Sequence, residues 1–425
     1  MRSSVALLVV SACFHPAPPE VLAPPRLADH REPATVPASW ELDASAAIAY
    51  ALAHGPTTAE RRDQEAVAEA RIGAAKQLTN PELHLGQTTE EDLLVGEQTR
   101  FVVAFRVFPD NPWMIDARVA QARAGYEAER AVTTTAVRAL TAQISQLYAQ
   151  LAFGEATRTI LIQETAVLDE RRRVLADQLA RNTATKLEVI LADQDATEIQ
   201  TTLSAIELAS AKQRAQLARL IGIPAGQTWK PVLDLAAEQR VRTGLDRAGF
   251  EARALARPEL AELAARTHAA EASAYQEKTK RVPWIDSLQV ERSVRDNVEW
   301  AASASITLPL FSLNSGRIAA AEAQRHQYAA ERARLAVDTV RQVDDAVALV
   351  EATGKRASEL AALITPASTE LTALFAAEKS AAVADPVKLL LLEERHVRAQ
   401  RAMLDAAFDH RMAVIALDAL VGGVP

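Results

Sequence analysis

Few residues of this 425-residue chain have types and spacings that suit catalysis or metal binding. His396 and His410 fall on one predicted helix, but a separation of 14 residues matches no metal-binding pair, which predicts that both are polar-face residues. Arg171-Arg172-Arg173 would point in several directions on a helix, which predicts a solvated patch with Glu170. No Gly-rich phosphate-binding loop occurs in the sequence. We therefore predict that the chain is not an enzyme and holds neither a cofactor nor a metal ion.

A different chemistry, acylation, is expected at Cys13, the only cysteine of the chain. Arg2, the apolar residues 5–10 and the small residues before Cys13 follow the order of a secretory signal. Val10-Ser11-Ala12-Cys13 resembles the lipobox of bacterial lipoproteins, in which the cysteine is acylated, for example with palmitate. The alternative is a core cysteine near the N-terminus. A signal peptide at 1–12 and a lipidated N-terminus with a Pro-rich tether at 13–39 are predicted.

The composition favours long, closely packed helices. Apolar residues make up 49% of the chain but aromatic residues only 4%, and 14 glycines leave room for uninterrupted helices. The formal net charge of -8 gives no electrostatic reason to expect a nucleic-acid partner.

The sequence contains a duplicated unit. Pro56 and Pro258 lie 202 residues apart, while Gly154 and Gly354 lie 200 apart, as do other landmarks of the two halves. We predict two repeats, at 40–225 and 226–425. Each repeat is predicted to contain a helix, two strands, a very long helix and a return helix.

The strands of the first repeat are predicted at about 83–88 and 99–108, separated by a polar loop at Glu90-Glu91-Asp92. The preceding helix is predicted at 57–78. Alternating apolar residues mark a strand in each repeat; they are Phe101, Val103, Phe105 and Val107, and Trp300, Ala302, Ala304, Ile306 and Leu308. Counted from Pro109 and Pro309, which lie 200 residues apart, the two sets have opposite parity. Either a bulge in one strand or a misassigned face would explain this difference.

The long helices carry apolar residues at alternating spacings of three and four, which is typical of left-handed coiled-coil packing. Leu147 and Val347 occupy one heptad position across the duplication. A helix over 112–181 would be on the order of 100 Å long. Both long helices are predicted to turn back at exposed tips, with Thr185 and Asp385 as N-caps and Pro386 at the first helical position.

Three short motifs, in this order and at these helix lengths, resemble the TolC family of outer-membrane efflux proteins over about residues 40–423. They are Thr185-Lys186-Leu187-Glu188-Val189-Ile190, Ala256-Arg257-Pro258-Glu259-Leu260, and the Leu-Pro-Leu-Phe…Gly-Arg…Ala-Glu-Ala run at 308–323. The resemblance implies a mainly α fold with a small β part. Duplicated coiled-coil hairpins would form a trimeric α-barrel, and four strands per protomer would form an outer-membrane β-barrel, whose closure requires association.

The same resemblance implies a lipid-anchored location in the outer membrane, extending into the periplasm. The function it implies is a passive trimeric conduit in a tripartite efflux or export system. The expected partners are two further copies of the chain, a periplasmic adaptor (membrane-fusion) protein, an inner-membrane pump or exporter, and outer-membrane lipids. The alternative is a periplasmic coiled-coil adaptor or scaffold lipoprotein without a pore. The sequence does not identify the exported substrate.

Site residues also follow from the resemblance. The hairpin tips that would contact the adaptor include Asn182, Thr185, Leu187, Asp385 and Val387. Asn182 stands where the family commonly has glycine, although asparagine tolerates a left-handed backbone. In the family, acidic side chains beyond the tips ring the narrow end. The matching positions here are Glu188 and Lys388, which are either a gate formed by paired charges or solvated surface charges.

Overall fold

The computed structural model describes residues 40–92, 96–224, 226–294, 298–309, 313–381 and 386–422. The signal peptide, Cys13, the tether and Asp385 lie outside these residues. The first half contains β1 (Glu41–Leu42), α1 (Ala44–His54), α2 (Pro56–Ala75), β2 (Glu82–Asp92), β3 (Gly96–Val107), α3 (Pro112–Ala180) and α4 (Lys186–Ile221). The second contains β4 (Lys230–Pro231), α5 (Leu235–Glu238), α6 (Arg247–Leu255), α7 (Pro258–Thr279), β5 (Trp284–Val294), β6 (Val298–Thr307), α8 (Ser315–Ala381) and α9 (Pro386–Val421).

The long helices confirm the predicted length. Helix α3 has 69 residues and α8 has 67. Asn111 begins α3 because its Oδ1 accepts a hydrogen bond from the Trp113 backbone N–H at 3.0 Å, and Pro112 has the fixed φ of a first helical residue. Among the described residues, no helix is both long and apolar enough to cross a membrane.

The strands are longer than predicted, and the predicted loop at Glu90-Glu91-Asp92 is wrong. These three residues are the end of β2, where Glu90 pairs with Gln98 and Asp92 with Gly96. Acidic side chains had indicated a loop, but an extended antiparallel partner supplies their backbone hydrogen bonds. Helix α2 also ends earlier than predicted, at Ala75.

Four strands form one antiparallel sheet in the order β2-β3-β5-β6. Cross-strand pairs such as Phe105 with Val290, and Val290 with Ala302, place both apolar sets on one face of the sheet. Neither face was therefore misassigned. The register shifts in β5 between Ile285 and Ser287, and this bulge keeps Ile285 on the same face as Leu288. The bulge lies in neither β3 nor β6, so it does not account for the opposite parity of the two predicted sets.

The sheet consequently has one mainly apolar face, on which Arg292 lies over the ring of Trp300, and a second, more polar face. The apolar face is exposed along every strand, with Leu83, Leu85, Phe101, Phe105, Val107, Leu288, Val290, Val294, Val298, Trp300 and Ile306. On the opposite face, Arg100 donates to Ser293 Oγ at 2.6 Å and Arg106 donates to Gln289 Oε1 at 2.6 Å.

The helices form a layer that continues below the sheet. In its upper part α2 packs on α3, α3 on α7, and α7 on α8. In its lower part α4 packs on α3, α3 on α9, and α9 on α8. The layer therefore runs α2-α3-α7-α8 above and α4-α3-α9-α8 below, with one long helix of each hairpin passing through both parts.

The predicted coiled-coil stripe is buried as expected at its central positions. Leu147 and Val347 are each 4% exposed. Leu147 packs in a cluster with Leu217 and Ile221, and Val347 packs with the corresponding Leu417 and Val421. The boundary between the repeats at 225/226 stays a prediction.

Candidate functional site

The first hairpin tip is a tight turn between α3 and α4. Asn182 has φ 57, and its backbone N–H donates to Leu179 O at 3.0 Å while that of Thr183 donates to Gln178 O at 2.9 Å. These bonds satisfy the last carbonyls of α3 in the manner of a Schellman motif. Asparagine is among the few side chains that adopt the left-handed conformation at low cost, which explains its use here in place of glycine.

Helix α4 begins with a reciprocal cap. Thr185 Oγ1 accepts from the Glu188 N–H at 3.3 Å, and the Glu188 carboxylate accepts from the Thr185 N–H at 2.7 Å. This is the capping box of Ser/Thr-x-x-Glu sequences. The backbone hydrogen bond from Thr185 holds the pKa of Glu188 below its usual value. The predicted N-cap is therefore confirmed, and the candidate gate residue Glu188 has a local structural role in its own helix.

Exposed apolar side chains surround the first tip. Leu187 is 64% exposed, and Ile190 and Leu191 are also exposed one turn further along α4. At the second tip, Pro386 is the first residue of α9, Val387 is half-buried and Lys388 is exposed. Asp385, which belongs to the same predicted set, lies outside the described residues.

A network of ion pairs joins three helices above the tips. Arg171 of α3 lies 3.1 Å from Asp195 of α4 and 2.9 Å from Glu394 of α9. Arg398 lies 2.5 Å from Glu394 and 3.2 Å from Glu164 of α3. The network therefore ties the second return helix to both helices of the first hairpin.

The prediction of a solvated patch at Arg171-Arg172-Arg173 is wrong for Arg171. Its side chain is 13% exposed, whereas that of Arg173 is 72% exposed and pairs with Glu170 on its own helix. Three successive helical residues do point in different directions, but the neighbouring helices cover one of those directions. Glu164 is fully buried, and its Oε2 has no hydrogen-bond partner within the described part of the chain.

The ion-pair network was missed because its partners are distant in sequence. Arg171 and Glu394 are 223 residues apart. The pair Glu394 and Arg398, four residues apart on one helix, was the signal available from the sequence.

The prediction of a polar face is wrong for His410, which is 1% exposed. Helix α9 packs between two other helices at this level, so that a position assigned to the surface becomes enclosed. His396 is half-buried and contacts Gln400 at 2.9 Å.

Comparisons with known proteins place the fold. No protein-family model and no curated protein sequence matches the chain. Solved structures do match. CusC has a TM-score of 0.72 at 16% identity, covering 91% of this chain and 94% of CusC. The outer-membrane protein VceC from Vibrio cholerae has a TM-score of 0.70 at 19% identity, covering 89% of this chain and 96% of VceC.

The outer-membrane channel MtrE of Neisseria gonorrhoeae, in its open state, has a TM-score of 0.71 at 18% identity, covering 90% of this chain and 89% of MtrE. The chain therefore has the fold of TolC-type outer-membrane channels, with long helical hairpins and a small sheet. At the level of the fold, the resemblance seen in the sequence is confirmed.

Proposed function

We propose that this chain is the protomer of a trimeric outer-membrane channel, a passive conduit of a tripartite efflux or export system. The observation that carries the proposal is that the same two sides of the protomer are open in every layer. The sheet ends in β2 and β6, the upper helical layer in α2 and α8, and the lower layer in α4 and α8. A head-to-tail contact between these sides repeats around an axis and closes a ring.

The helices at the open sides carry exposed apolar side chains that suit such a contact. On α8, Leu349, Leu363 and Leu374 are spaced by 14 and 11 residues, close to whole numbers of helical turns, and Leu363 is 71% exposed. On α4, Ile190 and Leu208 are spaced by 18 residues, which is five turns. A ring buries both stripes.

The sheet supports the same proposal. An isolated four-stranded sheet would leave unpaired backbone groups along β2 and β6, and lipid contains no water to satisfy them. Pairing β2 of one copy with β6 of the next removes both edges. The exposed apolar face then contacts outer-membrane lipid, and the face that carries Arg100 and Arg106 lines the interior.

We assign the hairpin tips to the partners. The apolar surface at Leu187 and Leu191 suits a periplasmic adaptor, which would in turn connect the conduit to an inner-membrane pump or exporter. Asn182, Thr185, Asp385 and Val387 belong to the same proposed contact. Glu188 and Lys388 are the proposed gate, and the ion pairs of Arg171 and Arg398 hold α9 against the first hairpin in the resting state.

The lipid anchor at Cys13 is part of the proposal. Acylation after removal of residues 1–12 would hold the N-terminus at the outer membrane. Mass spectrometry of membrane-extracted protein should give a lipidated mature chain that begins at Cys13. Peptides from residues 1–12 in the mature protein would contradict the anchor without affecting the channel.

Conductance in planar bilayers tests the function. We expect discrete conductance steps from the native protein or from an Arg171→Ala variant, in which the contacts that hold α9 are weakened. Leu363→Asp, on the proposed contact surface, should abolish the steps. Ile162→Asp provides a matched control, because Ile162 is also exposed but lies on the central helix α3. If the native protein and the Arg171→Ala variant both form three-chain particles but neither conducts, the result would favour the scaffold without a pore.

A further inference from the structure

His410 is enclosed in the last third of α9 although its ring is ionisable. The space for the ring is provided by Gly354 of α8, where a Cβ atom would lie 3.0 Å from His410 Cε1. In the other repeat the matching pair is Gly154 and Ser210. The first repeat therefore has the smaller side chain of Ser210 at the position of His410, and the buried histidine occurs only in the second repeat.

The histidine connects the segment at 239–246 to the long hairpin. The backbone N–H of Arg242 donates to His410 Nε2 at 3.1 Å. Because a backbone N–H can only donate, Nε2 must be unprotonated, and the ring proton must be on Nδ1. Nδ1 lies 3.3 Å from Thr353 Oγ1, which can accept this proton because the Thr353 hydroxyl itself donates to Leu349 O. The neutral ring therefore joins the segment to both α8 and α9.

Within the described part of the chain, no hydrogen bond or ion pair joins the His410 ring to a carboxylate. Three acids on the elements packed around it are paired with arginines. Asp418 pairs with Arg242 at 2.6 Å, Glu238 with Arg411 at 2.5 Å, and Asp409 with Arg356 at 3.2 Å.

Helix α6 contributes a further cation, Arg253, whose guanidinium lies 5.0 Å from the centre of the Phe250 ring. Burial, assisted by the charge of Arg411, lowers the pKa of His410. Protonation would place an N–H on Nε2 directly against the N–H of Arg242. The charged ring could then no longer accept the hydrogen bond from the Arg242 N–H, and it would have no counter-ion.

We propose that His410 is a pH-sensitive latch, which holds the segment at 239–246 on the hairpin when neutral and releases it when protonated. When the segment leaves, the ring becomes hydrated and its pKa returns toward the ordinary value near 6.5. The released form therefore binds the proton more tightly than the latched form. The latch is complete above about pH 6.5 and weakens as the pH falls below that value. This inference does not depend on the channel function.

Hydrogen exchange at the Arg242 amide in the full-length, detergent-solubilised protein tests the latch. Exchange is compared at pH 7.5 and pH 5.0 after correction for the intrinsic pH dependence of the rate. We expect protection in the native protein to fall by about tenfold or more at the lower pH. His410→Gln, whose side-chain oxygen can accept the same hydrogen bond but does not titrate, should lose the pH dependence.

The matched control is His396→Gln on the same helix, which should behave as the native protein does. Equal protection at both pH values in the native protein would overturn the proposal. So would an unchanged pH dependence in His410→Gln. If that variant does not fold, an NMR titration of His410 in the native protein decides. The pH at which the His410 ring becomes protonated must then coincide with the pH at which protection of the Arg242 amide is lost. Two transitions at different pH values would rule the latch out.

Discussion

At the scale of single residues, Arg171 shows how a distant partner decides the role of a side chain. Arg171 and Arg173 are two positions apart on α3, yet Arg171 lies between Asp195 and Glu394 whereas Arg173 pairs with Glu170 on its own helix. Buried ion pairs are strongly destabilised by loss of one partner, because the remaining charge stays desolvated. Exposed pairs contribute little.

Arg171→Ala should therefore lower the free energy of unfolding by about 3 kcal/mol, near the lower end for buried pairs because Arg398 still contacts Glu394. Arg173→Ala serves as the matched control and should cost less than about 1 kcal/mol. Chemical unfolding of the solubilised protein measures both changes. Equal effects of the two substitutions would show that the network does not stabilise the helices.

The proposed gate gives a second prediction at this scale. Glu188→Lys or Lys388→Glu alone should raise conductance in planar bilayers, and the double exchange should return it toward the native value. Because Glu188 also caps α4, Glu188→Lys removes a capping interaction as well as reversing a charge. Glu188→Gln separates the two effects, since glutamine keeps a side-chain acceptor for the cap and removes the charge.

If Glu188 and Lys388 form a pair, Glu188→Gln should also raise conductance. Charge pairing at the tips would be refuted if the single variants left conductance unaltered. It would also be refuted if the change in conductance of the double variant equalled the sum of the changes in the two single variants.

Among the site residues, the sequence predicted those whose roles are local. Thr185 was predicted as an N-cap from its residue type at the start of the return helix, and its partner Glu188 lies only three residues away. The roles of Arg171 and His410 were not predictable from local patterns, because Glu394 and Arg242 reach them from 223 and 168 residues away.

At the scale of secondary-structure elements, periodicity predicted the long helices well because coiled-coil packing repeats over many turns. The extent of α3 at Pro112–Ala180 agrees with the predicted 112–181. The strand ends were less predictable. Backbone pairing through Asp92 and the bulge between Ile285 and Ser287 depend on the partner strand, and local composition does not report a partner strand.

Leu147→Asp tests the coiled-coil assignment. The aspartate would be placed among buried apolar side chains that include Tyr148, Leu217 and Ile221, and we expect a cost of several kcal/mol. Val347→Asp should act similarly in the second repeat. Ile162→Asp on an exposed position of the same helix α3 is the control and should leave the thermal transition nearly unchanged. A native-like transition for Leu147→Asp would show that the stripe is wrongly assigned.

At the scale of the whole molecule, the open sides of the sheet and of both helical layers coincide, and this agreement across layers supports a ring of copies. The order of elements within each layer depends on which helices and strands become neighbours in space. Sequence periodicity shows that a helix has a buried stripe but does not identify its neighbour. The ring of copies was therefore expected from the resemblance to the TolC family. The order of the elements within each layer now gives a physical reason for it.

The mass of the detergent-solubilised particle, determined by native mass spectrometry, tests the ring most directly. We predict a particle of three chains, each of about 45.9 kDa before processing, whose subunits separate in Leu363→Asp but remain together in Ile162→Asp. Leu363 is exposed on α8 at the proposed contact, so the substitution should leave the fold of the single chain intact. A folded native chain that stays monomeric in mild detergent, or a three-chain particle insensitive to Leu363→Asp, would contradict this account.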